Sequence, residues 1–212
     1  MTRGRFIAFE GGEGMGKSTQ ARMLAEALRE SGLTVTLTRE PGGTPGAEAI
    51  RELLLAPPGA GWTMEAEALL FAAARADHVA HSIRPALDSG GWVICDRFID
   101  SSRAYQGVAG EMGDDAIMGL HAFGSDGLMP DLTIMIEAPQ DIVSARLAAR
   151  DGDNSDAIGG RTSSYHAAVN EAFRDLASRE PARFAIVDGA GSIEDVHRRV
   201  LSEVARRLGT SE

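Results

Sequence analysis

The sequence has one cysteine, few aromatic residues and no long apolar segment. The single Cys95 excludes an intrachain disulfide and favours the cytosol as the compartment. No apolar run approaches the length that crosses a membrane, and the N-terminal run is too short for a signal peptide. Acidic residues outnumber basic ones by 31 to 21, which gives a net charge of -10. A chain this acidic is a poor general ligand for nucleic acid or anionic membranes, so local positive clusters must hold any phosphate ligand.

Short apolar strands alternate with helical stretches along all 212 residues. The predicted strands are 5–10, 34–38, 90–98, 131–138 and 183–189. The predicted helices are 17–31, 47–55, 65–87 with a break near Pro85, 114–124, 139–150, 164–179 and 192–207. This alternation predicts one α/β domain, residues 1–212, with a parallel sheet covered by helices on both faces. Ligands of such sheets bind beyond the carboxyl ends of the strands.

The stretch "FEGGEGMGKSTQ", residues 9–20, contains the phosphate-binding pattern G-x-x-x-x-G-K-[ST]. It follows a predicted strand and opens a predicted helix, so its backbone N–H groups and the helix N-terminus can converge on phosphate oxygens. The predicted nucleotide-binding residues are Gly11, Gly12, Glu13, Gly14, Met15, Gly16, Lys17, Ser18 and Thr19. Lys17 is predicted to reach the β- and γ-phosphates, and the Ser18 hydroxyl to bind Mg²⁺. The pattern indicates ATP or GTP but leaves the phosphoryl acceptor open.

Three further motifs narrow the function, two of which begin at predicted strand ends and one of which lies on a predicted helix. They are "TREPGGTPG" at 38–46, "LLFAAARADH" at 69–78 and "CDRFIDSSRAYQG" at 95–107. Together with the phosphate loop, and in this order over nearly the whole chain, they resemble bacterial thymidylate kinases. The resemblance implies a three-layer sandwich of the P-loop NTPase type, with a five-stranded parallel sheet and a mobile lid at about 150–164. It also implies transfer of the γ-phosphoryl group of ATP to dTMP, and a homodimer with long helices such as 64–84 at its interface.

The resemblance assigns roles to residues that match the family's motifs. Glu13, an unexpected carboxylate in an anion-binding loop, matches the residue that receives the 3′-hydroxyl of dTMP. Arg39 and Arg97 match the arginines that hold the dTMP phosphate, for which their forked guanidinium groups are well suited. Phe71 resembles the aromatic residue that stacks on thymine, and Arg75 resembles the group that contacts its O4.

The remaining predicted contacts come from the motif that begins at Cys95. By the same resemblance, Ser101, Ser102, Tyr105 and Gln106 complete the pocket for the base and sugar. Asp96 is predicted to join Ser18 in holding Mg²⁺ through water.

Lys17, Arg97 and Mg²⁺ would neutralise the charge that develops during phosphoryl transfer. In some family members an arginine follows the acidic loop residue, but here that position is Gly14. The lid is then expected to supply positive charge, and Arg150 is the predicted catalytic arginine, with Arg161 as the second choice. Arg146 is predicted to lie along the adenine or to stabilise the base of the lid.

The lid also departs from the family, because Ala157 and Gly159 stand where an arginine and an acidic residue are usual. This departure keeps open a binding protein without catalytic activity, the third of three rival functions. The first is a kinase of another nucleoside monophosphate, and the second is a GTPase switch, although the guanine-reading Asn-Lys-x-Asp motif is absent from the sequence.

Overall fold

The computed structural model describes residues 4–151 and 157–209, and for 149–151 it describes the backbone only. The expectations for the middle of the lid and for the Arg150 side chain fall outside the described residues. The strands are β1 (Phe6–Glu10), β2 (Val35–Arg39), β3 (Trp92–Asp96), β4 (Leu132–Glu137) and β5 (Phe184–Asp188). They form one parallel sheet in the order β2-β3-β1-β4-β5. Each lies within two residues of its predicted bounds.

Helices connect the strands. They are α1 (Lys17–Glu30), α2 (Pro45–Leu55), α3 (Met64–His78), α4 (Arg84–Asp88), α5 (Ile99–Ser102), α6 (Asp114–Ser125), α7 (Gln140–Asp151), α8 (Ser163–Arg179) and α9 (Ile193–Leu208). π-Helical segments at Val79–Ile83 and Arg103–Ala109 continue α3 and α5. The chain stays helical through Pro85, which lies in the first turn of α4, and the break predicted there is instead the π-helical segment Val79–Ile83. The helical stretch from 99 to 109 was not predicted. Among helices of the described residues, none is both long and apolar enough to span a bilayer.

Apolar side chains of the strands alternate between the two faces of the sheet, which places a layer of helices on each side. Ile7 and Phe9 of β1 are fully buried in a cluster with α1 and α9, which includes Leu24 and Val200. Phe6 and Ala8 point to the opposite face and pack in a cluster that includes Ile83, Leu87 and Ile117. The predicted α/β sandwich is therefore confirmed.

Local sequence signals fix several helix starts near the carboxyl edge of the sheet. The Thr44 hydroxyl accepts a hydrogen bond from the Ala47 N–H, and Pro45 occupies the first turn of α2. At α9, Ser192 and Asp195 form a reciprocal capping box. Gly16 precedes α1 with φ 92°, a left-handed conformation that lets the phosphate loop turn directly into the helix.

Candidate active site

A cavity of about 480 Å³ opens beyond the carboxyl ends of β1, β2 and β3. Every residue predicted to bind the acceptor or the metal lines it, together with Lys17. These residues are Glu13, Lys17, Ser18, Arg39, Phe71, Arg75, Asp96, Arg97, Ser101, Ser102, Tyr105 and Gln106. These residues come from segments that are far apart in the sequence, and the fold brings them together around one cavity.

The phosphate loop has the geometry of an anion cradle. Gly11 and Gly14 adopt positive φ angles of 128° and 70°, which direct the loop around its centre. An added Cβ at Gly14 would lie 3.0 to 3.2 Å from Leu147 and Val143 of α7, so an arginine at this position would be strained and crowded. Lys17 lies inside the loop and donates to the Gly12 carbonyl at 2.6 Å.

Lys17 is buried, and its charge is sensitive to its surroundings. Burial is the main cause that lowers the pKa of Lys17 to about 7, and the nearby Arg97 guanidinium lowers it further. The carboxylates of Asp96, Glu10 and Glu13 act in the opposite direction. A phosphate anion in the loop would favour the protonated amine in the same way as those carboxylates.

Ser18 and Asp96 meet at the base of the loop. The Ser18 hydroxyl donates to Asp96 Oδ2, and Asp96 Oδ1 is buried without a hydrogen-bond partner among the described residues. A hydroxyl beside a partly unsatisfied carboxylate is the donor set that a hydrated Mg²⁺ uses in phosphate loops. The described residues hold no cluster of three or more His, Cys, Asp or Glu side chains that would suit a metal bound by protein alone.

Arg97 is held over the junction between the loop and the cavity. Its NH1 donates to the Gly11 carbonyl and to the Ser101 hydroxyl, both at 3.1 Å, and its NH2 donates to the Tyr105 hydroxyl at 3.4 Å. The guanidinium carbon lies 5.3 Å from the centroid of the Tyr105 ring. Arg97 also has φ 68°, in the left-handed region that few residues other than glycine adopt.

Glu10 supports this arrangement from β1. Its carboxylate accepts hydrogen bonds from the N–H groups of Phe98 and Ser101 and from the Ser101 hydroxyl. Burial, and next the neighbouring Asp100 carboxylate, raise the pKa of Glu10 to about 7, although the Ser101 hydrogen bond acts in the opposite direction. No sequence motif assigned a role to Glu10, which is the last residue of the buried strand β1.

Arg75 lines the cavity and lies in a chain of buried polar side chains. It donates to Glu40 Oε2 and to the Ser102 hydroxyl, each at 2.8 Å. Glu40 also contacts His78, whose second ring nitrogen lies 2.7 Å from the Thr38 hydroxyl. His78 is therefore a fully buried histidine with polar partners at both ring nitrogens.

Other predicted residues have partners of their own. Arg39 is half exposed and paired with Glu48 at 3.1 Å. Arg146 donates to the carbonyls of Met15 and Gly189, so it joins the phosphate loop to the turn after β5. Cys95 is buried, and burial raises the pKa of its thiol, as expected for an inert core residue.

Several lining residues were missed by the sequence analysis: Glu40, Pro41, Arg51, Leu55, Phe98 and Ile158. Glu40 and Pro41 lie inside the quoted motif "TREPGGTPG", which was the available signal. Arg51 donates to the Pro41 carbonyl at 2.7 Å and adds a cation to the cavity wall. A phosphate loop, an adjoining cationic cavity and an aromatic wall together define a P-loop kinase of the nucleoside monophosphate class.

Comparison with known proteins gives the family. The model of the family described as thymidylate kinase matches residues 9–200, and the chain belongs to this family. It is 53% identical to a thymidylate kinase of Rhizorhabdus wittichii over 97% of this chain and 99% of that protein. It is 46% identical to one from Symbiobacterium thermophilum over 95% of this chain and 94% of that protein. The crystal structure of thymidylate kinase from Ehrlichia chaffeensis superposes with a TM-score of 0.78 at 32% identity, and covers 96% of this chain and all of that chain.

Proposed function

We propose that the cavity holds dTMP and that the phosphate loop holds ATP with its γ-phosphate facing the acceptor. The reaction itself follows from the family: the chain is a kinase that phosphorylates dTMP to dTDP with ATP, a step in dTTP biosynthesis. The observation that supports the residue assignments is the convergence of all the transferred acceptor residues on one cavity beside Lys17.

Arg97 is assigned to both phosphates. It bonds the backbone of the phosphate loop at Gly11 and also faces the cavity, so it lies between donor and acceptor. Lys17 and Arg97 would offset the negative charge of the transferring group, while the loop and cavity fix the two substrates in line. The attacking phosphate oxygen of dTMP is already ionised, so no general base is required.

The assignments at the ends of the acceptor follow the same geometry. Glu13 would accept a hydrogen bond from the 3′-hydroxyl, and Phe71 would stack on the base. Arg39 would exchange its exposed partner Glu48 for the dTMP phosphate, a replacement of a weak surface ion pair by a charge-assisted contact.

Ser18 and Asp96 fit Mg²⁺ as they are arranged. Mg²⁺ would bind the Ser18 hydroxyl directly and Asp96 through water, and the unsatisfied Asp96 Oδ1 supports this assignment. When bound, the ion would neutralise part of the negative charge of the ATP phosphates.

Arg150 is the proposed catalytic arginine of the lid. The second choice, Arg161, pairs with Glu67 and bonds the Tyr165 hydroxyl, so in this structure it contacts α3 and α8. Arg150→Ala and Arg161→Ala, alone and together, separate the two choices when kcat is measured with both substrates saturating. Nearly full turnover by the double variant would show that the lid supplies no catalytic charge.

We also propose a cytoplasmic homodimer that associates through α3 and α6. Leu69 and Phe123 on these helices are 57% and 93% exposed, which is unusual for large apolar side chains. Sedimentation analysis of the wild-type chain and of Phe123→Asp tests this, because a dimer built on this face should dissociate in the variant.

A substrate panel tests the function directly. With ATP and Mg²⁺, dTMP should have the highest kcat/KM, and dUMP should be weaker because one methyl group in an apolar pocket is worth about 1–3 kcal/mol. Equal or better turnover of AMP, CMP or GMP would favour a kinase of another monophosphate. Binding of ATP and dTMP without turnover would favour a protein that has lost its catalytic activity.

A further inference from the structure

Glu67 joins two parts of the chain that are remote in sequence. It lies on α3, one turn before Phe71, and is only 6% exposed. Its Oε1 accepts a hydrogen bond from Gln106 Nε2 at 2.7 Å, and its Oε2 is paired with Arg161. Both partners contribute donors, as an ionised carboxylate requires.

This contact determines which way the Gln106 amide faces. A carboxylate paired with an arginine has only acceptor atoms, so the amide NH₂ of Gln106 must be directed to Glu67. Turning the amide over would place two oxygens against each other at hydrogen-bond distance. The carbonyl oxygen of Gln106 is therefore the group left for a ligand, and Gln106, which is 1% exposed, lines the cavity.

Arg75 provides the complementary group at the same end of the cavity. Its guanidinium has donors only, and Glu40 and Ser102 fix it in place. One fixed acceptor and one fixed donor match the N3–H and the O4 of thymine or uracil. Cytosine has an acceptor at N3 and an amino group at C4, so it is mismatched at both positions.

We propose that Glu67 is the specificity-determining residue that makes the pocket select an imide base, because it locks the amide orientation of Gln106. Glu67 acts through Gln106 as a positioning residue and does not itself contact the nucleotide. The inference rests on the proposed binding of dTMP in this cavity.

Arg161 has a second part in the same arrangement. Its guanidinium carbon lies 4.7 Å from the centroid of the Tyr165 ring, and the Tyr165 hydroxyl donates to the Tyr105 carbonyl at 2.7 Å. The start of α8 is thus tied to the chain immediately before Gln106. Arg161 holds the Glu67 carboxylate in place, which gives a role to an arginine that stands out of the family's usual lid register.

Glu67→Gln tests the inference with little change in volume. A glutamine at this position has a donor and an acceptor, so the Gln106 amide can turn over. We expect kcat/KM for dTMP and dUMP to fall together by about 10- to 100-fold, mainly through KM, as for one lost hydrogen bond to a buried group. The value for dCMP should stay or rise, so the ratio of dTMP to dCMP should fall at least about tenfold.

Control variants separate this effect from damage to the fold. Glu65→Gln makes the same change in the first turn of the same helix, where the side chain is exposed, and should leave all three substrates unchanged. Gln106→Met removes the amide, and Glu67→Gln in that background should have no further effect on the ratio. Arg161→Gln should shift the ratio of dTMP to dCMP in the same direction by a smaller factor. It is the substitute test if the Glu67→Gln protein does not fold.

The possible results separate a failure of this inference from a failure of the proposed function. If the wild-type enzyme prefers dTMP and Glu67→Gln keeps that preference within twofold, the inference is wrong and the proposed function stands. If the single change alters the ratio equally with and without Gln106, Glu67 does not act through that residue, which also overturns it. If the wild-type enzyme shows no preference for dTMP over dCMP, the proposed function fails and the inference fails with it.

Discussion

The hydroxyl of Ser18 donates to one oxygen of Asp96, and this hydrogen bond joins the first turn of α1 to the end of β3. The other Asp96 oxygen is buried without a hydrogen-bond partner in the described part of the chain. This pairing predicts a metal-dependent defect. Asp96→Asn should lower kcat by about 10- to 100-fold and raise the Mg²⁺ concentration that gives half-maximal rate. Asp115→Asn, an exposed acid-to-amide change, is the matched control. A titration in which Asp96→Asn and wild type share the same Mg²⁺ dependence would contradict the assignment.

Glu13 provides a test of the acceptor site. It lines the cavity beside Lys17 and Ser18 of the same loop. Glu13→Ala should raise KM for dTMP and lower kcat, with much less change in KM for ATP, because the lost contact is to the sugar of the acceptor. Steady-state kinetics with each substrate varied in turn measures both. A change in KM for ATP alone would contradict the prediction that Glu13 contacts the acceptor.

Glu10 predicts how stability depends on pH. Burial, followed by the Asp100 carboxylate, raises its pKa in the folded protein from 4.5 to about 7. The folded state therefore binds this proton more tightly than the unfolded state, and the resulting stability is present below about pH 4.5 and lost as the pH rises through about 7. The loss over that range should be on the order of 3 kcal/mol.

Urea denaturation at pH 5 and pH 8 tests the Glu10 prediction. Glu10→Gln replaces the protonated carboxyl with a neutral amide of similar shape, so it should lack most of the pH-dependent decline. Parallel declines in wild type and variant would assign the titration to other groups.

Substitution of Asp100 should lower stability more than substitution of an exposed charged residue. It is fully buried and bonds Arg103 at 3.0 Å and Arg183 at 2.6 and 2.9 Å, which ties α5 to the start of β5. Asp100→Asn should cost about 1–3 kcal/mol of unfolding free energy, because it removes the buried charge that both guanidinium groups bond, although both keep Glu180 as a partner. Arg174→Ala breaks the exposed pair with Glu137 and should cost less than about 1 kcal/mol. Thermal unfolding of both variants measures the difference, and comparable losses would refute it.

The strands were predictable because each is a short apolar run bounded by charged or glycine-rich turns. The helical stretch from 99 to 109 was not predictable, because polar residues such as Asp100, Ser102 and Gln106 occupy buried positions where apolar residues would reveal a helical period. Several of these polar residues line the cavity, so the composition of the stretch reflects ligand binding more than helical periodicity.

The site residues were predictable as members of motifs, but their partners were not. Arg161 with Glu67, and Arg75 with Glu40, join segments 94 and 35 residues apart. Such contacts depend on how helices pack across the sheet, which no local pattern records. The roles of Glu10 and Glu67 emerged only from the donors that surround each carboxylate.

The left-handed backbone of Arg97 has a consequence for attempts to stabilise this enzyme. A residue with a Cβ at φ 68° costs about 1 kcal/mol that glycine would not, so a search for relaxed backbones would choose Arg97→Gly. That change would delete the side chain that bridges Gly11, Ser101 and Tyr105. These three hydrogen bonds outweigh the backbone strain, so glycine at position 97 would relax the backbone without stabilising the protein.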